Sequence, residues 1–483
     1  MNDSTKTVIT PVADFSATPF RLSLSKPEWM RLSTNARQTV KGWVNKALRC
    51  TLLFAVLAPV IGQATDLAEL YQSTMTTHPI LKGGEFAIDQ ASAQKDQALS
   101  RLLPQLSATG NLSWNDMTQA SGVPNQDSSN STYQGTRGII QARQALFDLS
   151  SFLRWQGAGA VVLQTEQELE AARMSVTADL IDRYLAVLAA EDELQYIQGE
   201  KAMTESDLKR IKRMQELQLA KVTDLYELEA YYQNLFTKEL EVIGAHDIAL
   251  EKLHETSGLV VSTLQKLQSD GLPGIPGEVS QFVEQGVRQH PALLAFDHAI
   301  EGAHTLINSA RAEHLPQLSL QLSETYADNG GFDNRQLPYY NVGTVGLQLN
   351  VPIFSGGGIE AGAREATARY HQSLEKRSGK LREIEKEIRT AYVQARTERS
   401  RIDSMAKEVE SRSKNKDAKT KSYELGAVTV IDLLETKKDL LKSQFEHSKA
   451  RYNFIRALVT LKLWSGSLGG QDVEEINRWL VKL

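Results

Sequence analysis

Residues 315–326 read LPQLSLQLSETY, and residues 103–114 open on the same five letters, LPQLSATGNLSW. Each copy follows a His-Pro pair at the same spacing: His78-Pro79 precedes the first and His290-Pro291 the second. After LPQ both copies leave helical periodicity for strict alternation, the pattern of a strand with two unlike faces. In the first, Leu106, Ala108, Gly110, Leu112 and Trp114 alternate with Ser107, Thr109, Asn111 and Ser113. In the second, Leu318, Leu320, Leu322 and Tyr326 share a face, with Glu324 as the exception. A returning strand is clear at Val345, Leu347, Leu349, Val351 and Ile353. Its counterpart at Ile140, Ala142 and Leu146 is weakened by Gln144 on the apolar parity.

The register continues outward. Tyr184 pairs with Tyr392, Glu216-Leu217 with Glu424-Leu425, Asp224-Leu225 with Asp432-Leu433, Glu227 with Glu435, and Ser257-Gly258 with Ser465-Gly466. Residues 67–258 and 279–466 are therefore two copies of one unit. The expected organisation is an N-terminal extension and signal over 1–64, a first unit over 65–270 and a linker at 271–278. A second unit follows over 279–466 and a tail over 467–483. The strand pairs fall at about 105–147 and 317–354, and the Gly- and Asn-rich stretches at 115–138 and 327–343 read as hairpin ends.

Strands of this length with one apolar face suit a transmembrane barrel, where about 9–11 tilted residues cross the hydrocarbon. They suit a soluble sandwich with one wet face equally well. Four strands cannot close a barrel, which needs about eight, so the membrane alternative requires several chains. Ala158–Leu217 and Ile359–Leu425 contain no proline and hardly any glycine. They predict helical arms of roughly 90–100 Å at 1.5 Å per residue, longer than a globular domain. In the second arm Leu381, Ile388, Ala395, Ile402 and Val409 recur every seven residues, with Ile384, Ala391 and Met405 at the companion position and Glu398 as the one fault. That is a coiled-coil seam. Each arm turns near Gln218 or Gly426 and returns through a second helix, 219–256 or 428–463.

Lys41, Lys46 and Arg49 precede the apolar run CTLLFAVLAPVIG and the small-residue exit GQA, which predicts an exported precursor cleaved after Ala64, with Met30 as an alternative start. Residues 1–64 carry eight Lys/Arg and three Asp/Glu, so cleavage takes the net charge from −5 to −10. A nucleic-acid partner is not expected of so acidic a chain. The single cysteine, Cys50, leaves with the signal, and with it any disulfide framework or thiolate site. The sequence holds no P-loop, GxSxG or HExxH motif and no histidines on adjacent helical turns. Neither an enzyme nor a cofactor is expected.

SYELGAVTVIDLLETKKDLLKSQFEHSKARYNF (422–454) and QLAKVTDLYELEA (218–230), set within this duplicated order, resemble the tips of the TolC family, the outer-membrane channels of tripartite export systems. The resemblance covers nearly all of residues 66–475. It implies an α+β membrane protein: a homotrimer whose three chains give four strands each to one 12-stranded barrel, continuous with a coiled-coil helical tunnel through the periplasm. Its implied partners are outer-membrane lipid, a periplasmic adaptor, and an inner-membrane ABC transporter or proton-driven pump. Its function would be passive passage, for type I protein secretion or small-molecule efflux. The resemblance places Asp432 and Glu435 in carboxylate rings at the periplasmic mouth. It makes Thr223 and Asp224, with Tyr423, contacts of the closed state. Leu217, Gln218, Leu425, Gly426 and Ala427 become the adaptor-contacting tips. Val428 occupies the family's partnering Arg position, which leaves Lys221 as a substitute cation, and Gln218 stands where the family has Gly. Without the resemblance the acids read as solvated helix faces, and Gly426 reads equally as a helix terminator. A periplasmic adaptor is the alternative, although adaptors carry one long hairpin where this chain has two. A purely structural coiled coil does not explain the strand pairs.

Overall fold

The computed structural model describes residues 66–119, 129–218, 221–261, 263–268, 271–328 and 339–481. The expected export segment, the expected hairpin ends at 120–128 and 329–338, and residues 219–220, 262, 269–270 and 482–483 lie outside these. The duplication is built into the backbone. Helices α1 (Leu67–Thr77) and α2 (Pro79–Ser100) have 11 and 22 residues, as do α5 (Val279–Gln289) and α6 (Pro291–Ala312). The long arms α3 (Leu149–Glu216) and α7 (Gly358–Glu424) have 68 and 67, and their returns α4 (Val222–Ser257) and α8 (Val430–Trp464) have 36 and 35.

The repeated His-Pro pair is a helix junction. His78 ends α1 with its N–H donating to the Thr74 carbonyl (3.0 Å), and its Nδ1 accepts the Ile80 N–H (3.3 Å) to cap α2. His290 does the same between α5 and α6, through Gly286 (3.1 Å) and Ala292 (3.1 Å). Proline follows at the first helical position, where no backbone donor is needed.

Arm α3 begins nine residues before the expected Ala158. Asp148 caps it by accepting the Ser151 N–H (3.0 Å). Gly157 lies within α3 where α6 packs against it, a Cβ at that position lying 3.6 Å from the Gly302 carbonyl oxygen. Both arms are roughly 100 Å long at 1.5 Å per residue.

Strands β1 (Gln105–Gln119), β2 (Ser129–Phe147), β4 (Gln317–Asp328) and β5 (Tyr339–Asn350) form one antiparallel sheet in the order β1-β2-β4-β5. β1 and β2 run further into the polar stretches than expected, since Asn115–Gln119 and Ser129–Gly138 continue the ladder in register, with Asn115 opposite Tyr133 and Gln119 opposite Ser129. β5 stops before the expected Val351–Ile353, where Pro352 offers no N–H to a ladder. The two units join through β2 and β4, with Ala142 opposite Leu322. This leaves one apolar face across all four strands, on which Leu106, Trp114, Val345, Leu347 and Leu349 are each more than 60% exposed. A sandwich would bury that face and expose the other, so the apolar exposure decides against it. Glu324 lies on this face opposite Gly343, and a Cβ there would come within 2.8 Å of its Oε2, so the glycine makes room for it.

The main core lies midway along the arms. Leu67 and Leu70 of α1, Leu180, Ile181, Tyr184 and Leu188 of α3, and Tyr452, Ile455 and Val459 of α8 are buried together. The tail closes over it with α9 (Gly470–Arg478), which adds Val473 and Ile476, and with β6 (Leu480–Val481) pairing with β3 (Lys266–Leu267) of the connecting segment. Tyr184 donates its hydroxyl to the Gln265 carbonyl (3.0 Å). Of the expected seam, Ile384, Ile388, Ala391, Ala395 and Ile402 are buried, and Ala395 and Ile402 cluster with Ala450 and Phe454 of α8. Met405 and Val409, nearer the tip, are half-buried. No helix among the described residues is long and apolar enough to cross a membrane.

Candidate functional site

The far ends of the two hairpins carry the residues singled out in the sequence. At the second tip the Gly426 N–H donates to the Tyr423 carbonyl (2.9 Å) and the Ala427 N–H to the Ser422 carbonyl (2.9 Å), with Gly426 at φ 74°. This is a Schellman end, whose left-handed residue is usually glycine. The first tip shares the left-handed turn residue, here with a side chain in the strained place. Gln218 sits at φ 60°, the one non-glycine with positive φ among the described residues, and its N–H donates to the Gln215 carbonyl (2.9 Å). Leu217 and Leu425, the residues before these turns, are 64% and 85% exposed. Two apolar side chains thus project where the polypeptide reverses.

Just behind the tips, α4 and α8 begin with equivalent acids. Asp432 and Thr429 form a capping box: the Thr429 N–H and hydroxyl both donate to Asp432 Oδ2 (2.9 and 2.6 Å), and the Asp432 N–H donates back to the Thr429 hydroxyl (3.2 Å). The Thr429 hydroxyl, with its backbone N–H, lowers the Asp432 pKa below the usual carboxylate value. Asp432 therefore has a local task, holding the first turn of α8, besides any role in the mouth. On α4, Asp224 accepts from the Thr223 hydroxyl (3.2 Å).

The structure brings some of the expected residues together and separates others. Asp224 and Glu435 line one cleft between α4 and α8, about 160 Å³ in volume, with Glu227 and Lys438 beside them and Leu228, Tyr231, Ile431 and Leu434 as its apolar walls. Tyr423 does not line the cleft but lies behind its apolar wall. It packs on the cluster of Ile211, Leu228 and Leu434, and the Arg210 guanidinium lies 5.2 Å from its ring centre. The cation at Tyr423 is thus Arg210 from α3, while Lys221 serves as the exposed N-cap of α4. Arg210 also approaches buried Asp207 (3.8 Å).

Sequence reasoning missed Arg210, Lys438 and Glu200 as members of this region. Glu200 on α3 is buried, accepts the Tyr231 hydroxyl, and lies 3.5 Å from the Lys438 ammonium. Glu227 had a signal, since it is the repeat partner of Glu435. The others belong to contacts between unlike positions of the two units, which a repeat offset cannot reveal.

The family model described as "Outer membrane efflux protein" matches residues 70–225 and 283–467, one block in each unit. The chain is 27% identical over 396 residues to the alkaline protease secretion protein AprF of Pseudomonas aeruginosa, covering 80% of this chain and 82% of that one. It is 25% identical over 438 residues to the outer membrane protein TolC of Escherichia coli, covering 87% and 86%. Its fold superposes on the outer membrane channel CmeC of Campylobacter jejuni with a TM-score of 0.72 at 18% identity, over 86% of this chain and 90% of that one.

Proposed function

This chain belongs to the outer membrane efflux protein family, and from that premise we propose that it is the passive outer-membrane conduit of a tripartite export machine, serving type I protein secretion. Its place is the outer membrane and its class is a transport channel reaching into the periplasm. On the proposed reading three copies pool their strands, the helical hairpins wall a water-filled tube, and the energy comes from an inner-membrane ABC transporter reached through a periplasmic adaptor. The chain itself performs no chemistry.

The observation that carries this reading is the open sheet. Four strands, edges β1 and β5 without a strand partner among the described residues and an exposed apolar face have no stable place in water. Closing the sheet with further copies removes both edges, and lipid covers the apolar face. The arms rising from the same strands supply a wall about 100 Å long. Leu217, Gln218, Leu425, Gly426 and Ala427 at the tips are the proposed adaptor contacts. Asp432, Glu435, Asp224 and Thr223, with Tyr423 behind them, form the proposed constriction. Three-fold rings of carboxylates repel one another and attract cations.

Protein secretion is favoured over small-molecule efflux by the name of the relative AprF, an alkaline protease secretion protein. The test is a clean deletion in the native host with paired assays. Loss of a secreted protein from the medium with unchanged dye and drug export supports the proposal. Loss of small-molecule export alone assigns the channel to efflux.

A further inference from the structure

The duplication makes the two hairpins equivalent, so a contact made inside the chain describes one that the chain leaves open. Inside the chain α3 packs against α8. The Arg456–Asp182 ion pair (2.7 Å) sets their register, and around it Met174, Ile181 and Leu185 of α3 are buried with Tyr452, Ile455 and Val459 of α8. Their equivalents are α7 and α4, which lie at opposite edges: among the described residues α4 packs on α3 and α1, and α7 on α8, α6 and α5.

Carried over by the repeat offset that pairs Tyr184 with Tyr392, the same seam sets Ile248 against Thr390. It puts Arg382, Lys386 and Arg389 where Met174, Ala178 and Ile181 stand, and Asp247 and Glu251 where Ile455 and Val459 stand. One face of α7 is therefore basic and one face of α4 acidic, at the same height. All five side chains are exposed. Arg389 makes no ion pair among the described residues, and Arg382 donates to the Ser378 hydroxyl (3.3 Å). The ion-pairing neighbours of Asp247 and Glu251 are histidines, His246 (3.4 Å) and His254 (3.7 Å). Glu255, the next acid along α4, is already held by Arg183 (2.6 Å).

An apolar face at these positions would stay exposed on a single exported chain until copies met. Charge keeps that chain dispersed and gives the contact a direction: basic meets acidic, whereas two α7 faces or two α4 faces repel. A contact between unlike faces can repeat around a ring and close it.

We propose that copies of this chain join through an ionic seam at mid-height, the Arg382, Lys386 and Arg389 face of α7 seated on the Asp247 and Glu251 face of α4 of the next copy. The proposal rests on the channel reading above, in which three copies share one barrel, and assigns the surface and the chemistry by which they recognise one another.

Two experiments on the mature protein test it. In a Cys50→Ser background, Ile248→Cys and Thr390→Cys together should let a short bis-maleimide join chains into covalent dimers and trimers, and neither cysteine alone should. Trimers that give no cross-link from the double variant overturn the seam. The second experiment follows the rate at which newly made chains form trimers in mild detergent. Reversing one face, by Lys386→Glu with Arg389→Glu or by Asp247→Lys with Glu251→Lys, is expected to slow assembly about tenfold, and all four substitutions together to restore it. Added salt should slow the wild type. Should a reversed variant fail to fold, the cross-link decides. Assembly at the wild-type rate with either face reversed, or no recovery in the folded four-substitution variant, overturns the ionic seam and leaves the channel reading standing. No trimer from the wild type overturns the channel reading and the seam with it.

Discussion

Exchanging the two turn residues tests the tip geometry quantitatively. Gln218 and Gly426 occupy equivalent turns at φ 60° and 74°. A residue with a Cβ pays roughly 1–2 kcal/mol to sit in the left-handed region, and glycine gives back about 0.5–1 kcal/mol through its freer unfolded chain. Gln218→Gly is thus expected to stabilise the first tip by about 1 kcal/mol, and Gly426→Gln to destabilise the second by a similar amount. In local opening, 1 kcal/mol is roughly a fivefold change. Hydrogen–deuterium exchange of the assembled protein reads this directly. Amides of residues 211–218 should exchange about fivefold more slowly in Gln218→Gly, and those of 421–427 about fivefold faster in Gly426→Gln. If both variants leave exchange unchanged, or both shift it the same way, the equivalence of the two turns is wrong.

Three further outcomes follow from particular contacts. Asp432→Ala with Glu435→Ala should lower cation selectivity and abolish block by a multivalent cation; unchanged conductance and block would remove these acids from the mouth. His290 is held neutral in the fold, its pKa lowered to about 4 by burial, with Lys380 adding to the effect. The unfolded chain then binds the proton first, so stability falls as pH drops from 6.5 towards 4, by roughly 3 kcal/mol per chain across that window. Melting against pH should show this slope, and His290→Asn, which keeps a capping acceptor, should flatten it; an identical slope would assign the acid sensitivity elsewhere. Tyr184→Phe removes the bond to the Gln265 carbonyl and should cost about 1–2 kcal/mol in chemical unfolding, with no effect on conductance.

The duplication was legible because it rests on local chemistry. His-Pro recurs since each pair ends one helix and caps the next, and the LPQ strands recur since each must alternate. Composition places the start of the first arm at Ala158, nine residues late, because the Asp148 cap that begins α3 is a local contact that the helical composition does not mark. The polar stretch at 129–138 looked like loop because strand character there comes from pairing with β1 and not from an apolar face. At the mouth, the acids after each turn are singled out only through the family resemblance, since by themselves they read as solvated helix faces. Arg210 beneath Tyr423 and Lys438 beside Glu200 depend on how α3 lies against α7 and α8. No periodicity within either hairpin encodes that register.

The central claim is that this chain cannot close its own sheet and must share it. Native mass spectrometry of the protein extracted from outer membranes in mild detergent measures that directly. Three chains per particle, without a stable smaller species, is the predicted result. A single chain that stays folded and dispersed in plain buffer would contradict it.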